Sequence, residues 1–243
     1  MRYFEKLFHT VVISMFLGLM SSLAFAADPV KVGFVYVGPI GDHGWTYRHD
    51  IGRQQVEEAF GDKVKTSYVE SVTYGPDAER VIRMLAETND IVFATSFGYM
   101  EPMLKVAKEF PNVYFEHATG YKQADNMSSY GLRLYQARHV QGVIAGLMTQ
   151  TDKICYIASY PIPEVIREIN TYFMGARSMN PNVEMDIVWV NTWYDPGKES
   201  DAAKVLMSQG CDMVAQHTDS PAPMQAAEQQ GKFGFGQAYD QIS

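Results

Sequence analysis

The residues able to do chemistry fall in short stretches that follow apolar runs, and that placement limits what they can do. Asp42, Asp195 and Asp219 have the spacing in the chain to meet across a cleft as an acid–base pair. Carboxylates in such positions more often accept hydrogen bonds from a ligand or cap the following helix, and the sequence favours that use. It carries no Gly-x-Ser-x-Gly elbow, no Gly-x-x-x-x-Gly-Lys phosphate loop and no His-Glu-x-x-His pair. His43 and His49 are six residues apart, too far to share a helical face at i,i+4 spacing. The reading is a binding protein with no catalytic centre, no resident cofactor and no metal site.

Aromatic side chains collect in the same stretches. The first reads Gly38-Pro39-Ile40-Gly41-Asp42-His43-Gly44-Trp45-Thr46, the next Ser96-Phe97-Gly98-Tyr99, then His117-Ala118-Thr119-Gly120-Tyr121. Farther on come Ser159-Tyr160-Pro161, Asn191-Thr192-Trp193-Tyr194-Asp195, His217-Thr218-Asp219-Ser220 and Gln237-Ala238-Tyr239-Asp240. Rings beside amide, hydroxyl and carboxylate groups suit a flat, polar-edged heteroaromatic ligand: faces sandwich the ring while edge groups set specificity. Any one of Trp45, Phe97 or Trp193 is more simply explained as crevice filling. The recurrence of the pattern in loop after loop favours a ligand.

The elements that must position these loops alternate strand and helix. Lys31–Val37 is a near-continuous apolar run, as in a strand buried on both faces. Further strands are expected at Val64–Glu70, Ile91–Ser96, Val113–His117 and Tyr130–Leu134, then at Ile154–Ala158, Asp186–Val190, Met213–Gln216 and Lys232–Gly236. Between them, Ala78, Val81, Ile82, Leu85 and Ala86 recur at helical spacing behind Pro76, as do Met103, Val106, Ala107 and Phe110. Helices are also expected at Leu134–Thr149 (with Val140, Val143, Ile144, Leu147 and Met148 on one face), Val165–Arg177, Ser200–Gln209 and Ala222–Gln230, the last two closed by Gly210 and Gly231. The fold class is α/β, with two doubly wound parallel-sheet lobes. The first lobe spans 27–149 and the second 150–243, and the second reads as C-terminally truncated. Ligands of open parallel sheets bind at the carboxyl ends of the strands, so the expected site is the cleft between lobes.

Residues 1–26 form the layout of a secretory signal: Arg2 and Lys6, the apolar run Val11–Met20, then Ala24-Phe25-Ala26 before Ala27. The run is shorter than the roughly 20 residues that cross a bilayer. Cleavage after Ala26 and release into the periplasm are expected. Removing the signal's net +1 takes the formal charge from −8 to −9, the opposite of the basic face that nucleic acid requires. Cys155 and Cys211 are read as two buried thiols, although the compartment also permits a disulfide.

With those loops in hand, the chain resembles the basic-membrane-protein family of substrate-binding proteins, whose best-known members are purine nucleoside receptors. Asp42-His43-Gly44-Trp45 matches an Asp-x-x-aromatic pattern after the first strand, and Trp193-Tyr194-Asp195-Pro196 matches a Trp-x-Asp-Pro. Asn180-Pro181, Gln225-Ala226-Ala227 and Gly231 follow in family order. The resemblance implies a type I periplasmic-binding fold, a hinged cleft, delivery to the membrane permease of an ATP-driven transporter, and a purine-like ligand bound by a monomer. The ligand-binding residues taken from loops and resemblance together are Asp42, Trp45, Phe97, Tyr99, His117, Asn170, Trp193, Asp219, Ala238 and Tyr239. Ala238 stands where the resemblance places an acidic residue on the ribose side, which favours a free base such as adenine over a nucleoside. The alternatives are a ligand-sensing receptor of the same fold and, less favoured, a nucleoside-processing enzyme.

Overall fold

The computed structural model describes residues 28–238; the expected signal, its cleavage site and Tyr239 lie outside the described residues. Strand β1 (Val30–Val35) leads into helix α1 (Trp45–Phe60), β2 (Val64–Val69), α2 (Pro76–Ala86), β3 (Ile91–Ala94), α3 (Met100–Glu109), β4 (Tyr114–Ala118) and β5 (Met127–Tyr130). The strands run parallel in the order β2-β1-β3-β4-β5. Helix α4 (Leu134–Met148) precedes β6 (Lys153–Ala158), α5 (Pro163–Met179), β7 (Glu184–Trp189), α6 (Pro196–Ser208), β8 (Met213–Gln216), α7 (Ala222–Gln229) and β9 (Phe233–Phe235). These strands form a second parallel sheet, β7-β6-β8-β9. The chain therefore has the two parallel-sheet α/β lobes that its alternating pattern implies.

Each sheet buries both faces. In the first lobe Val35, Val92, Ala94 and Phe115 meet the apolar stripes of α2 and α3. On the opposite face lie Val32, Phe34 and Tyr36, with Phe34 stacked on Phe93 at 4.9 Å. Helix α1 covers part of that face without an apolar stripe. It is tied down by polar contacts instead: Asp50 accepts from Tyr36 Oη at 3.3 Å, and Arg53 donates to Thr66 Oγ1 of β2 at 2.9 Å. That is why hydrophobic periodicity gave no sign of α1.

Two further elements differ from expectation. Strand β5 lies three residues earlier than expected, because Leu134 opens a helix. In α4 the buried residues are Arg138, Gly142, Ala145 and Gly146, while Val140, Ile144, Leu147 and Met148 face outward. Small residues win because α4 lies almost backbone to backbone on α5. A methyl group on Gly142 would sit 2.0 Å from the Tyr172 carbonyl oxygen, and one on Gly146 2.3 Å from that of Ala176. Helix α4 thus packs into the second lobe, beside Ile154, Tyr156 and Tyr172, although a boundary at 149/150 assigns it to the first.

Cys155 and Cys211 are joined by a disulfide, with their Cα atoms 6.0 Å apart. Both are fully buried in the layer between the second sheet and helices α6 and α7. The pairing of β6 with β8, Ile154 opposite Met213, brings the two cysteines together from positions 56 residues apart. The separation suits a disulfide, and the reading of two free thiols is corrected. Among the described residues no helix is long and apolar enough to cross a membrane.

Candidate functional site

The cleft is assembled from loops that leave the carboxyl ends of the strands. After β1 the chain wraps around Asp42, which is fully buried. Its Oδ1 accepts from the backbone N–H groups of Gly44 and Tyr47, both at 2.9 Å, and Oδ2 accepts from that of Thr46 at 3.0 Å. Asp42 therefore organises the loop at the start of α1 and does not line the cleft. The turn delivers Trp45, whose indole N–H donates to the Thr95 carbonyl at 2.5 Å. With its only donor occupied, Trp45 offers the cleft the face and edge of a fixed ring.

A cavity of about 30 Å³, room for a water or two, lies between the lobes, so the cleft is all but closed. From the first lobe, Trp45, Thr95, Ser96, Phe97 and Thr119 line it; from the second come Ile162, Glu164, Trp193, His217, Asp219 and Gln237. Trp193 packs at a tilt on Tyr160, centroids 5.3 Å apart, and on His217 at 6.0 Å, so the second lobe presents an aromatic wall with polar groups at its edge. Glu164, in the first turn of α5, has its carboxyl pushed up chiefly by burial, with His217 pulling the other way.

Two contacts clamp the lobes together beside this cavity. Asp219 accepts from the backbone N–H of Trp45 at 3.0 Å, and the indole N–H of Trp193 donates to the Tyr74 hydroxyl. Tyr74 in turn shares a 2.7 Å hydrogen bond with Ser96, and burial pushes its phenol up to about 12. Asp219 is buried, and its carboxyl is held well above the usual range, first by burial and then by the charge of Asp42; the bond from Trp45 acts the other way. Gly44 passes so close that a methyl group there would lie 2.6 Å from the Asp219 side chain.

Of the expected site residues, the structure brings Trp45, Phe97, Trp193 and Asp219 to the cavity. His117 is buried one layer behind it, with Nε2 2.8 Å from the Ser96 carbonyl oxygen. Tyr99 belongs to the first-lobe core, its hydroxyl donating to the Val72 carbonyl at 2.6 Å. Asn170 lies on the exposed side of α5. Ala238 lines a different, mostly apolar cavity beside α1 and β1, so the structure gives no support to its place on a ribose side. Asp195 caps α6, accepting from Lys198 N at 3.1 Å while Glu199 reaches back to Asp195 N at 2.7 Å; its carboxylate is a helix cap. Glu164, His217 and Gln237 were not singled out from the sequence. The loops holding His217 and Gln237 were visible as strand-end loops, whereas Glu164 sits within a helix and carried no such signal.

Residues 29–241 match the model of the PnrA-like ABC transporter substrate-binding proteins. The chain belongs to that family. It is 53% identical over 225 residues to a purine-binding protein of Brucella abortus, covering 92% of this chain and 64% of the relative. It is also 43% identical over 210 residues to a Haloferax volcanii protein named as a candidate ABC transporter glucose-binding protein, covering 86% of this chain and 53% of that one. The chain thus spans between half and two thirds of these relatives' length. Among solved structures, a solute-binding protein of an ABC transporter system from Aeropyrum pernix K1 superposes with a TM-score of 0.76 at 21% identity, covering 86% of this chain and 61% of that one. That likeness fixes the type I periplasmic-binding fold.

Proposed function

We propose that the whole protein is the periplasmic ligand-capturing component of an ATP-driven importer, and that it holds a purine-type ligand, a free base such as adenine or a nucleoside, in the cleft between its lobes. The observation that carries this reading is the composition of the cavity. Rings from both lobes, Trp45 and Phe97 facing Trp193, enclose a small space edged by Glu164, His217, Asp219 and Gln237. Rings give a planar heterocycle its buried area, and the polar edge distinguishes one heterocycle from another. The purine-binding relative from Brucella supports the ligand class.

Calorimetric titration of the full-length protein tests the reading. Adenine is expected to bind, with adenosine weaker by about tenfold, or about 1.4 kcal/mol. Glucose, included because of the second relative's name, is expected to give no heat. Binding of glucose with silence from every purine overturns the proposal.

A further inference from the structure

The second lobe carries a buried chain of charged and polar groups that ends at the cleft. Arg138 of α4 is almost fully buried. It donates through Nε to Glu168 Oε2 at 3.0 Å, through one terminal nitrogen to Gln141 at 2.8 Å, and through the other to the Gln216 carbonyl at 2.6 Å and to Gln237 Oε1. Glu168 is as deeply buried. Burial alone would raise its carboxyl, but contacts with His217 and Arg138 outweigh that and hold it down. The oxygen that accepts from Arg138 also lies 3.3 Å from His217 Nδ1. His217 is fixed from two other sides, its backbone N–H donating to the Ile157 carbonyl at 2.8 Å and its ring packed beside Trp193.

A neutral imidazole carries one donor and one acceptor, and the partner of one nitrogen decides the role of the other. Nδ1 is buried without an aligned hydrogen-bond partner, and the charged group nearest it is the Glu168 carboxylate, which favours the proton on Nδ1 and leaves Nε2 its lone pair. His217 lines the cavity, so that lone pair is what the ring offers a ligand. Arg138 matters here because its positive charge offsets that of Glu168.

We infer that His217 is a specificity-determining residue, accepting a hydrogen bond through Nε2 from a ring N–H of the bound base, and that Glu168 is the positioning residue that fixes it in that role. The inference rests on the purine reading above and deepens it. A purine whose imidazole N–H is replaced by a methyl group or a sugar has no proton to give, so His217 sorts free bases from their substituted forms. This places base-over-nucleoside selection on a residue of the second lobe and not on Ala238.

The test uses the full-length protein with adenine and 9-methyladenine. The wild type is expected to bind adenine at least about tenfold more tightly, the worth of one well-made hydrogen bond. In His217→Ala that ratio is expected to fall below about threefold. His217→Gln, whose amide keeps an acceptor, should retain part of the discrimination and guards against reading misfolding as loss of selectivity. Independently, ¹⁵N spectra of the ligand-free protein should show the Nδ1–H form of His217, and Glu168→Gln should mix in the Nε2–H form while weakening adenine at least about threefold. A wild-type ratio preserved in His217→Ala overturns the specificity role while leaving the purine reading intact. Unchanged spectra and affinity in Glu168→Gln overturn the positioning role. A wild type that binds no purine overturns the reading on which both depend.

Discussion

Single residues in the cleft take their character from what surrounds them more than from their type. Asp42 and Asp219 have the same side chain, yet one is spent on three backbone N–H groups of a turn and the other faces the cavity while accepting from Trp45. Because burial and Asp42 hold the Asp219 carboxyl high, the folded protein keeps a proton there that the unfolded chain releases near pH 4. A raised carboxylate opposes folding progressively as pH climbs from the unfolded value through the folded one. Asp219→Asn removes that opposition while keeping an oxygen to accept from Trp45. Its melting temperature relative to wild type is therefore expected to rise between about pH 4 and pH 7. Melts at several pH values check this, and a difference that stays flat or narrows with pH refutes it. Sequence reasoning could name Asp219 as a cleft residue, because a strand-end carboxylate in a parallel fold points there. It could not see that Asp42 turns inward, which depends on how the local turn aims three backbone N–H groups, or that Tyr99 spends its hydroxyl on Val72, a partner 27 residues away.

At the scale of elements, what was legible was whatever leaves a periodic trace. Helix α2 buries every residue its spacing marked, and α3 buries Met103, Val106 and Ala107 while Phe110 caps its end half-buried; most of the parallel strands were visible as apolar runs. Helix α1 left no trace because polar contacts anchor it. Helix α4 left a misleading one, since its apolar side faces outward and its glycine side carries the packing. The contact with α5 supplies a prediction. Gly146→Ala places a methyl group against the Ala176 backbone, where no side chain can rotate away, so the helices must separate. Overpacking of this kind costs about 1–3 kcal/mol, against the gain of roughly 1 kcal/mol that alanine normally brings to a helix interior. Net destabilisation is expected in chemical denaturation of the full-length protein. An unchanged or higher midpoint would mean that the two helices have room the structure does not show.

At the scale of the molecule, two lobes meet around a cleft, and groups that hold them together also line the cavity between them. Trp193 donates across the gap to Tyr74, and Asp219 accepts across it from Trp45. The affinity for any ligand held by both lobes therefore includes the cost of bringing them together. Tyr74 offers a way to separate the two contributions. It does not line the cavity, yet its hydroxyl links Trp193 of one lobe to Ser96 of the other. Tyr74→Phe keeps the ring, which packs edge-on against Tyr99 at 5.4 Å, and removes only the link. A net hydrogen bond is worth about 0.5–1.5 kcal/mol, so the closed arrangement loses that much and affinity should fall by about two- to tenfold. Because the substitution touches closure and not the ligand's edge, every ligand should weaken by the same factor, and the adenine to 9-methyladenine ratio should stay at its wild-type value. Small-angle scattering without ligand should show a larger radius of gyration than wild type. Affinity that falls for one ligand and not another would place the Tyr74 hydroxyl in contact with the ligand itself and end its assignment as a clasp.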